Sequence, residues 1–228
     1  MSSNPVHIFA VGYEILYNIN MAEIGKYLVV EGIDGAGKTT QAKILAEHLT
    51  LDGLSVVEMV EPGSTRIGQE LRRIILDPDI ELQTETELDL FTAVRRESVH
   101  QIIRPSTLIG KTVVSDRNWF STVAYQGFGR DLDVDAIIEQ TKRVMGEYFL
   151  PDGAVILDLP VEVAEARLGQ SRAKADWFER EGKQFFDKVR RGYHWVAERF
   201  DVGLIDGAAS IEAVHQSLYE HLGTIAID

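Results

Sequence analysis

The stretch Gly32-Ile-Asp-Gly-Ala-Gly-Lys38-Thr39 decides the fold, because it fits the pattern G-x-x-x-x-G-K-[ST] and has the right surroundings. Residues 27–30 (YLVV) precede it, and such a short continuous apolar run is typical of a strand buried on both faces. The apolar residues that follow recur at i, i+3, i+4 and i+7 and predict an amphipathic helix ending near Asp52-Gly53: Ala42, Leu45, Ala46 and Leu49. A strand, a glycine-rich turn and a helix in this order predict a phosphate-binding loop.

The chemistry of this loop comes from its backbone and two side chains. The glycines let successive N–H groups turn toward one point, and the helix N-terminus adds a partial positive charge. Lys38 can reach the β- and γ-phosphates of a nucleoside triphosphate, and the Thr39 hydroxyl can bind Mg²⁺. The pattern does not predict what receives the phosphate. The residues predicted to bind the nucleoside triphosphate, which the resemblance described below implies to be ATP, are Gly32, Ile33, Asp34, Gly35, Ala36, Gly37, Lys38, Thr39 and Thr40.

Strands alternate with helices along the rest of the chain. Further strands are predicted at 56–60, 112–114 and 154–159, with a short fifth at 202–205. Helices are predicted between them, from Ile67 to Ile75, from Leu88 to an end at Pro105, and over 134–148. A further helical stretch covers 161–200, with a charge-dense interruption near 170–184. The last helix follows Ser210, which is its predicted cap. This alternation predicts the α/β class, a parallel sheet with helices on both faces, in one domain.

Composition excludes several classes of protein. The chain has 228 residues, with 23 Lys and Arg against 36 Asp and Glu, giving a formal charge of −13. An acidic balance argues against a general nucleic-acid or anionic-membrane binder, although a basic pocket for a small anion remains compatible with it. The chain has no cysteine, which excludes disulfides, thiol nucleophiles and cysteine-based zinc sites and fits a reducing compartment.

The N-terminal segment is expected to lie outside the domain. Residues 1–20 look like an extension, and Met21 would be a natural start; the alternative is an extra element packed on the core. No segment reaches the roughly 20 apolar residues that span a bilayer. A secretory signal needs early basic residues, and the first here is Lys26, so a soluble, cytoplasmic protein without a membrane partner is expected.

Three clusters are placed to hold a second substrate, since ligands bind at the carboxyl ends of parallel strands. The first is Glu61-Pro-Gly-Ser-Thr-x-x-Gly68 with Arg72 one turn later; the alternative is a Pro-Gly turn with a solvated arginine. In the second, Phe91 and Arg95 share a helix face and suit a flat base with a carbonyl edge. The alternative is that Phe91 is an ordinary core residue and Arg95 an ordinary surface residue.

The third cluster is Ser115-Asp116-Arg117 at the end of the third predicted strand, followed by Ser121 and by Ala124-Tyr125-Gln126-Gly127. A strand-end carboxylate in a phosphate-loop enzyme serves Mg²⁺ or acts as a base, which is the role predicted for Asp116. Arg117 beside it can bind the acceptor phosphate. The alternative interpretation is a strand-end ion pair.

Together these motifs resemble thymidylate kinase. The stretches that carry the resemblance span about residues 26–222: EGIDGAGKTTQ (31–41), EPGSTRIGQELR (61–72), LFTAVRR (90–96), SDRNWFSTVAYQGFGR (115–130), LDLP (157–160) and FFDKVRRGY (185–193). The resemblance implies transfer of the γ-phosphoryl group of ATP to dTMP with Mg²⁺, giving dTDP and ADP. It also implies the nucleoside monophosphate kinase fold, with a five-stranded parallel sheet and a mobile lid, and a homodimer.

The resemblance also implies roles for single residues. Asp34 would meet the sugar and phosphate region of dTMP, Tyr125 the sugar 2′ position and Gln126 a base edge, while Phe91 would stack on thymine and Arg95 donate to its carbonyl. The full expected dTMP site is Asp34, Glu61, Arg72, Phe91, Arg95, Arg117, Ser121, Tyr125 and Gln126. The expected metal-binding residues are Thr39 and Asp116, and the expected catalytic residues are Lys38, Asp116, Arg117 and Arg172.

Two departures concern the catalytic cation. Some family members carry an arginine in the phosphate loop where this chain has Gly35-Ala36, so the cation must come from elsewhere. Members of this glycine type have basic lids, and the resemblance places the lid here around 167–184. The family usually reads Asp-Arg-x-Glu there, and this chain reads Asp176-Trp177-Phe-Glu179. Arg172, Lys174 or Arg180 could replace the missing arginine, or the stretch is only a solvated helix end.

Two other functions remain open from the sequence. A deoxynucleoside kinase shares the phosphate loop but takes an acceptor without a phosphate, which Arg72, Arg117 and the AYQG stretch (124–127) disfavour. A catalytically silent nucleotide-binding protein is compatible with the altered lid.

Overall fold

The computed structural model describes residues 24–169 and 180–227, and it contains one five-stranded parallel sheet. The strands are β1 (Tyr27–Gly32), β2 (Val56–Val60), β3 (Thr112–Asp116), β4 (Gly153–Asp158) and β5 (Gly203–Asp206), in the order β2-β3-β1-β4-β5. The predicted α/β class with a parallel sheet is confirmed. The predicted extension 1–20 lies outside the described residues, as do Arg172, Lys174 and Trp177 of the predicted lid.

Helices follow the strands in alternation. Their bounds are α1 (Lys38–Leu51), α2 (Arg66–Ile75), α3 (Thr84–Ser98), α4 (Arg104–Thr107), α5 (Trp119–Thr122), α6 (Val134–Met145), α7 (Val161–Leu168), α8 (Lys183–Phe200) and α9 (Ile211–Ile227). Two wide π-helical segments, Val99–Ile103 and Val123–Gly129, continue α3 and α5, and a 3₁₀ turn, Gly146–Tyr148, follows α6. At the start of α9, the predicted Ser210 cap accepts a hydrogen bond from Ala213 N at 3.2 Å.

The central strand β1 explains why the sequence before the glycine turn is so apolar. All six of its residues are buried, and successive side chains of a strand point to opposite faces. Both faces of the sheet are therefore covered at β1, as expected for a parallel sheet. The described helices are too short or too polar to cross a membrane.

The strand register brings the predicted site segments to one edge of the sheet. Val30 of β1 and Val60 of β2 both pair with Asp116 at the end of β3, and Gly32 pairs with Leu157 of β4. The phosphate loop, the turn after β2 and the segment after β3 therefore leave the sheet side by side. This is the edge at which open α/β sheets bind ligands.

The prediction that Pro105 ends a helix is wrong. The helical path continues from α3 through the wide turn Val99–Ile103 into α4, which ends at Thr107. In the wide turn the N–H of Arg104 bonds five residues back, to Val99 O. Pro105 lacks an N–H, and the change from four-residue to five-residue spacing at this point accommodates it.

Helix α2 is present as predicted, but its apolar residues do not enter the core. Gly68 is its only buried residue, and Ile67 and Ile74 are 49% and 39% exposed. Leu76 and Ile80, just after the helix, are also exposed. We call this set (Ile67, Ile74, Leu76 and Ile80) the α2 surface.

Candidate active site

The glycine-rich stretch forms a tight loop between β1 and α1. Gly35 and Gly37 have φ angles of 85° and 94°, a region that favours glycine. A Cβ at Gly35 would lie 2.7 Å from Ala164 O in α7, so no side chain fits there. The bond from Gln41 N to Gly37 O is 3.0 Å, and the first N–H groups of α1 before it have no intrahelical acceptor. The loop therefore has the backbone arrangement that binds phosphate.

Lys38 is buried at the base of this loop. Its Nζ donates to Ile33 O at 2.8 Å and lies 3.9 Å from the Asp34 carboxylate. Burial and the nearby positive charge of Arg117 lower the pKa of Lys38 to about 8, although Asp34 and Asp116 act in the opposite direction. The lysine is therefore largely charged at neutral pH but close to its titration range.

Thr39 and Asp116 meet next to the loop, as the sequence predicts. The Thr39 hydroxyl donates to Oδ2 of Asp116, while Oδ1 of Asp116 is buried and no donor among the described residues bonds to it. A hydroxyl and a carboxylate oxygen are ligands that Mg²⁺ accepts alongside substrate phosphates and water. No group of three or more His, Asp or Glu among the described residues could hold a metal. The site fits Mg²⁺ held jointly with a bound nucleotide.

Arg117 lies beside the loop and contacts residues from three other elements. Its Nη1 donates to Gly32 O at 3.2 Å, to Ser121 Oγ at 2.8 Å and to the Tyr193 hydroxyl at 2.9 Å, while Nη2 donates to Asp34 Oδ1 at 2.5 Å. Its backbone has a φ of 77°, which is costly for a residue other than glycine. The fold thus holds one guanidinium at the mouth of the loop.

Glu31 lies at the centre of the candidate site and is not among the residues predicted from the sequence. It is fully buried in β1 and accepts hydrogen bonds from Asn118 N, Ser121 N, Ser121 Oγ and the Tyr193 hydroxyl at 2.7 to 3.0 Å. A carboxylate is buried at this depth only with such partners. The available signal was a charged residue in an otherwise apolar central strand. Tyr193, from the FFDKVRRGY stretch, was missed as well.

Asp34 and Tyr125 face each other across the site. The Tyr125 hydroxyl donates to Asp34 Oδ2 at 3.1 Å, and the Arg117 guanidinium lies 5.2 Å from the Tyr125 ring centre. Burial acts to raise the pKa of Asp34, but Arg117 and Lys38 outweigh it and hold the pKa at about 2. Asp34 is therefore a fixed negative charge between two cations at neutral pH.

Arg72 reaches the same region from α2. Its Nη1 donates to Pro62 O at 2.5 Å, in the turn after β2. Burial and repulsion from Arg117 lower the pKa of Arg72, while Asp116 and Asp34 act in the opposite direction. Two guanidinium groups that repel each other form a site that an anion would stabilise. The structure brings together the two arginines that the sequence assigned to an acceptor phosphate.

The predicted base pocket lies along α3. Arg95 is buried and donates from Nε to Glu61 Oε2 and from Nη2 to Thr122 Oγ1, both at 3.0 Å. Glu61, an expected dTMP ligand, therefore contacts Arg95, and burial raises the pKa of Glu61. Phe91 is half-buried one turn before Arg95. Gln126 is buried and donates to Glu87 Oε1 at 3.1 Å.

The two ends of the predicted lid are described. Arg167, at its start, donates to Gly207 O at 2.9 Å and to Gly35 O at 3.4 Å, which ties α7 to the phosphate loop. At the other end Glu181 forms a two-bond pair with Arg130, at 2.5 and 3.0 Å. Arg180 is exposed. The assignment of Arg172 as the catalytic cation stays a prediction.

Comparison with known proteins identifies the family. The family model described as "Thymidylate kinase" matches residues 30–218. The chain belongs to the thymidylate kinase family. The chain is 40% identical over 194 residues to the "Thymidylate kinase" of Pelotomaculum thermopropionicum, covering 84% of this chain and 89% of the relative. It is 44% identical over 171 residues to the "Thymidylate kinase" of Desulforudis audaxviator, covering 74% of this chain and 76% of the relative.

A solved structure agrees with this assignment. The crystal structure of thymidylate kinase from Ehrlichia chaffeensis is similar with a TM-score of 0.69 and 30% identity, covering 86% of this chain and 96% of that one. The predicted nucleoside monophosphate kinase fold is confirmed by this likeness and by the strand order. As a member of the thymidylate kinase family the chain is a phosphotransferase.

Proposed function

We propose that this chain transfers the γ-phosphoryl group of ATP to dTMP, forming dTDP and ADP. The observation that carries the proposal is the placement of Arg72 and Arg117 next to the phosphate loop. One anion site made of backbone N–H groups and a second made of guanidinium groups at the same sheet edge suit two phosphorylated substrates placed end to end. Family membership supports the same acceptor.

Phosphoryl transfer depends on alignment and on stabilising charge as the group moves. The loop and Lys38 would hold the triphosphate. Arg117 and Arg72 would hold the acceptor phosphate in line with it, and Asp34 keeps Arg117 oriented. Thr39 and Asp116 would hold Mg²⁺, which when bound neutralises phosphate charge.

The base pocket supports thymine as the acceptor base. The Phe91 ring offers a surface for stacking, which contributes about 1–3 kcal/mol per base. Two of the five N–H groups of Arg95 are used by Glu61 and Thr122, which fixes its plane and leaves other N–H groups to donate to a carbonyl.

The two alternatives are weaker. A deoxynucleoside kinase would have no use for the paired guanidinium groups, and the curated relatives do not favour it. A catalytically silent binder is not favoured either, because the curated relatives are named thymidylate kinases.

An ADP-release assay on a panel of acceptors tests the proposal. dTMP should be the best substrate, with dUMP about 10–200-fold poorer because only one methyl contact is lost. Purine monophosphates and unphosphorylated thymidine should be inactive. Lys38→Met should keep its fold and lose nearly all turnover. Thymidine turned over as fast as dTMP, or full activity of Lys38→Met, would contradict the proposal.

Three further parts of the proposal rest on the family resemblance. Arg172 would supply the lid cation, so Arg172→Ala should lower kcat far more than it raises KM for dTMP. The chain would act as a homodimer and would be cytoplasmic, without nucleic-acid or membrane partners. The acidic net charge of −13 supports the exclusion of polyanionic partners.

A further inference from the structure

Two hydrogen bonds between neighbouring helical segments frame the predicted base pocket. On α3, Glu87, Phe91 and Arg95 follow one another at four-residue intervals and share one face. On the adjacent segment, Thr122 and Gln126 are also four residues apart. Arg95 bonds to Thr122 at 3.0 Å and Glu87 bonds to Gln126 at 3.1 Å, so the Phe91 position lies between the two bonds.

The bond between Glu87 and Gln126 determines how the amide is turned. A carboxylate offers only acceptors, so the amide atom that faces Glu87 must be Nε2, whichever way the amide is assigned. The acceptor atom of the amide, Oε1, is therefore directed away from Glu87. Arg130 reinforces this arrangement, because its Nε lies 3.5 Å from the other carboxylate oxygen of Glu87 while its Nη atoms hold Glu181.

We propose that Glu87 is a positioning residue that selects the pyrimidine, an inference that rests on the proposed dTMP kinase activity. It fixes the amide of Gln126 so that an acceptor faces the base beside the donor of Arg95. Thymine and uracil present the complementary pair, a carbonyl oxygen and a ring N–H. Cytosine presents an amino group and an unprotonated ring nitrogen, so donor meets donor and acceptor meets acceptor. A buried polar group left without a partner weakens binding of the base.

Glu87→Gln tests this role with little change of shape. A glutamine at this position can accept or donate, so the Gln126 amide is free to turn over. The ratio of kcat/KM for dTMP to that for dCMP should fall at least about tenfold, which corresponds to about 1.4 kcal/mol. KM for ATP should stay within about twofold, because the phosphate loop is untouched.

The double variant Glu87→Gln with Gln126→Glu supplies a rescue. The amide now donates from position 87, and the carboxylate at position 126 offers the base only acceptors. Selection for dTMP over dCMP should therefore return. Gln126→Met, which removes the acceptor and keeps the pair between Glu87 and Arg130, should lower the same ratio even if Glu87→Gln does not fold.

Asp89→Asn is the matched control. Asp89 lies on the same helix and accepts from Gln140 at 3.1 Å, but this bond is exposed and away from the pocket. An unchanged dTMP to dCMP ratio in Glu87→Gln, an equal fall in Asp89→Asn, or no recovery in the double variant would each overturn the inference. Failure of the proposed function would look different, because the unmodified protein would then not phosphorylate dTMP.

Discussion

The Tyr193 hydroxyl is the residue-scale feature that joins the two buried charges of the site. It donates to Glu31 at 2.9 Å and lies 2.9 Å from Arg117 Nη1 and 2.8 Å from Ser121 Oγ. Burial and the Glu31 carboxylate raise the pKa of Tyr193, so the hydroxyl stays protonated. A neutral hydroxyl at this point bonds to both the carboxylate and the guanidinium, and Arg117 Nη1 itself lies 3.9 Å from Glu31 Oε2.

Tyr193→Phe should weaken acceptor binding selectively. The ring and its packing remain, but Glu31 loses a donor and Arg117 an acceptor, at a cost of about 1–3 kcal/mol. KM for dTMP should rise about tenfold while KM for ATP stays within about twofold, measured by steady-state kinetics. Tyr148→Phe, which removes a hydroxyl bonded to Thr107 away from the site, should change neither value. Parallel changes in both KM values would show that Tyr193 acts only on stability.

We expect Lys38 to set an alkaline limit for the free enzyme. The pKa is lowered to about 8, so the charged form that binds triphosphate is lost as the pH rises through that value. The plot of kcat/KM for ATP should fall above pH 8, since this ratio reports groups of the free enzyme. Saturating ATP should shift the fall in kcat to higher pH, because phosphates stabilise the charged lysine. The Lys38→Arg variant should not show this fall above pH 8, whatever its absolute rate. A flat profile to pH 10 would contradict the assignment.

At the scale of elements, helix α8 approaches the wide segment Val123–Gly129 closely enough to require glycine. A Cβ at Gly192 would lie 2.8 Å from the Ala124 Cα, and one at Gly129 would lie 2.6 Å from the Phe185 ring. These contacts allow Tyr193 to reach Glu31 in β1. Helix α8, which follows the predicted lid, is therefore packed directly on the segment that carries Tyr125 and Gln126.

Gly192→Ala should separate these two elements. Overpacking of this kind costs about 1–3 kcal/mol, and in a chain of this size Tm should fall by about 2–10 °C. KM for dTMP should rise as well, since Tyr193 is displaced. Gly169→Ala is the control, because a Cβ there would meet the described part of the chain only at ordinary contacts of 3.6 Å or more and Tm should not change. An unaltered Tm in Gly192→Ala would show that the helices can adjust without cost.

The pattern of the sequence predicts elements better than it predicts what they pack against. Apolar runs located all five strands to within two residues. The signature is clearest for β1 and β3, whose residues are all buried. The φ of Arg117 and the contacts of Glu31 and Tyr193 depend on residues up to 162 positions apart and leave no such signature. Helix α2 shows the same limit, since its spacing predicts a helix but not that its apolar side faces outward.

At the scale of the whole molecule, the α2 surface and the net charge have opposite effects on dimerisation. Exposed apolar side chains on neighbouring turns favour association, and the proposed homodimer would bury them. Each chain carries a formal charge of −13, so two copies repel. Salt screens that repulsion over about 8 Å at physiological ionic strength but leaves apolar burial intact. We therefore expect dimerisation through the α2 surface to strengthen as salt is added.

Sedimentation at about 20 mM and about 500 mM salt measures this balance, since the screening length falls several-fold between them. The dimer dissociation constant should decrease with salt, the reverse of an interface held by ion pairs. Ile74→Glu adds a charge to the α2 surface and should give a monomer, while Leu204→Glu, an exposed residue of β5, should leave the dimer intact. A protein that stays monomeric at both salt concentrations, or an Ile74→Glu variant as dimeric as the parent, would show that α2 faces solvent for another reason.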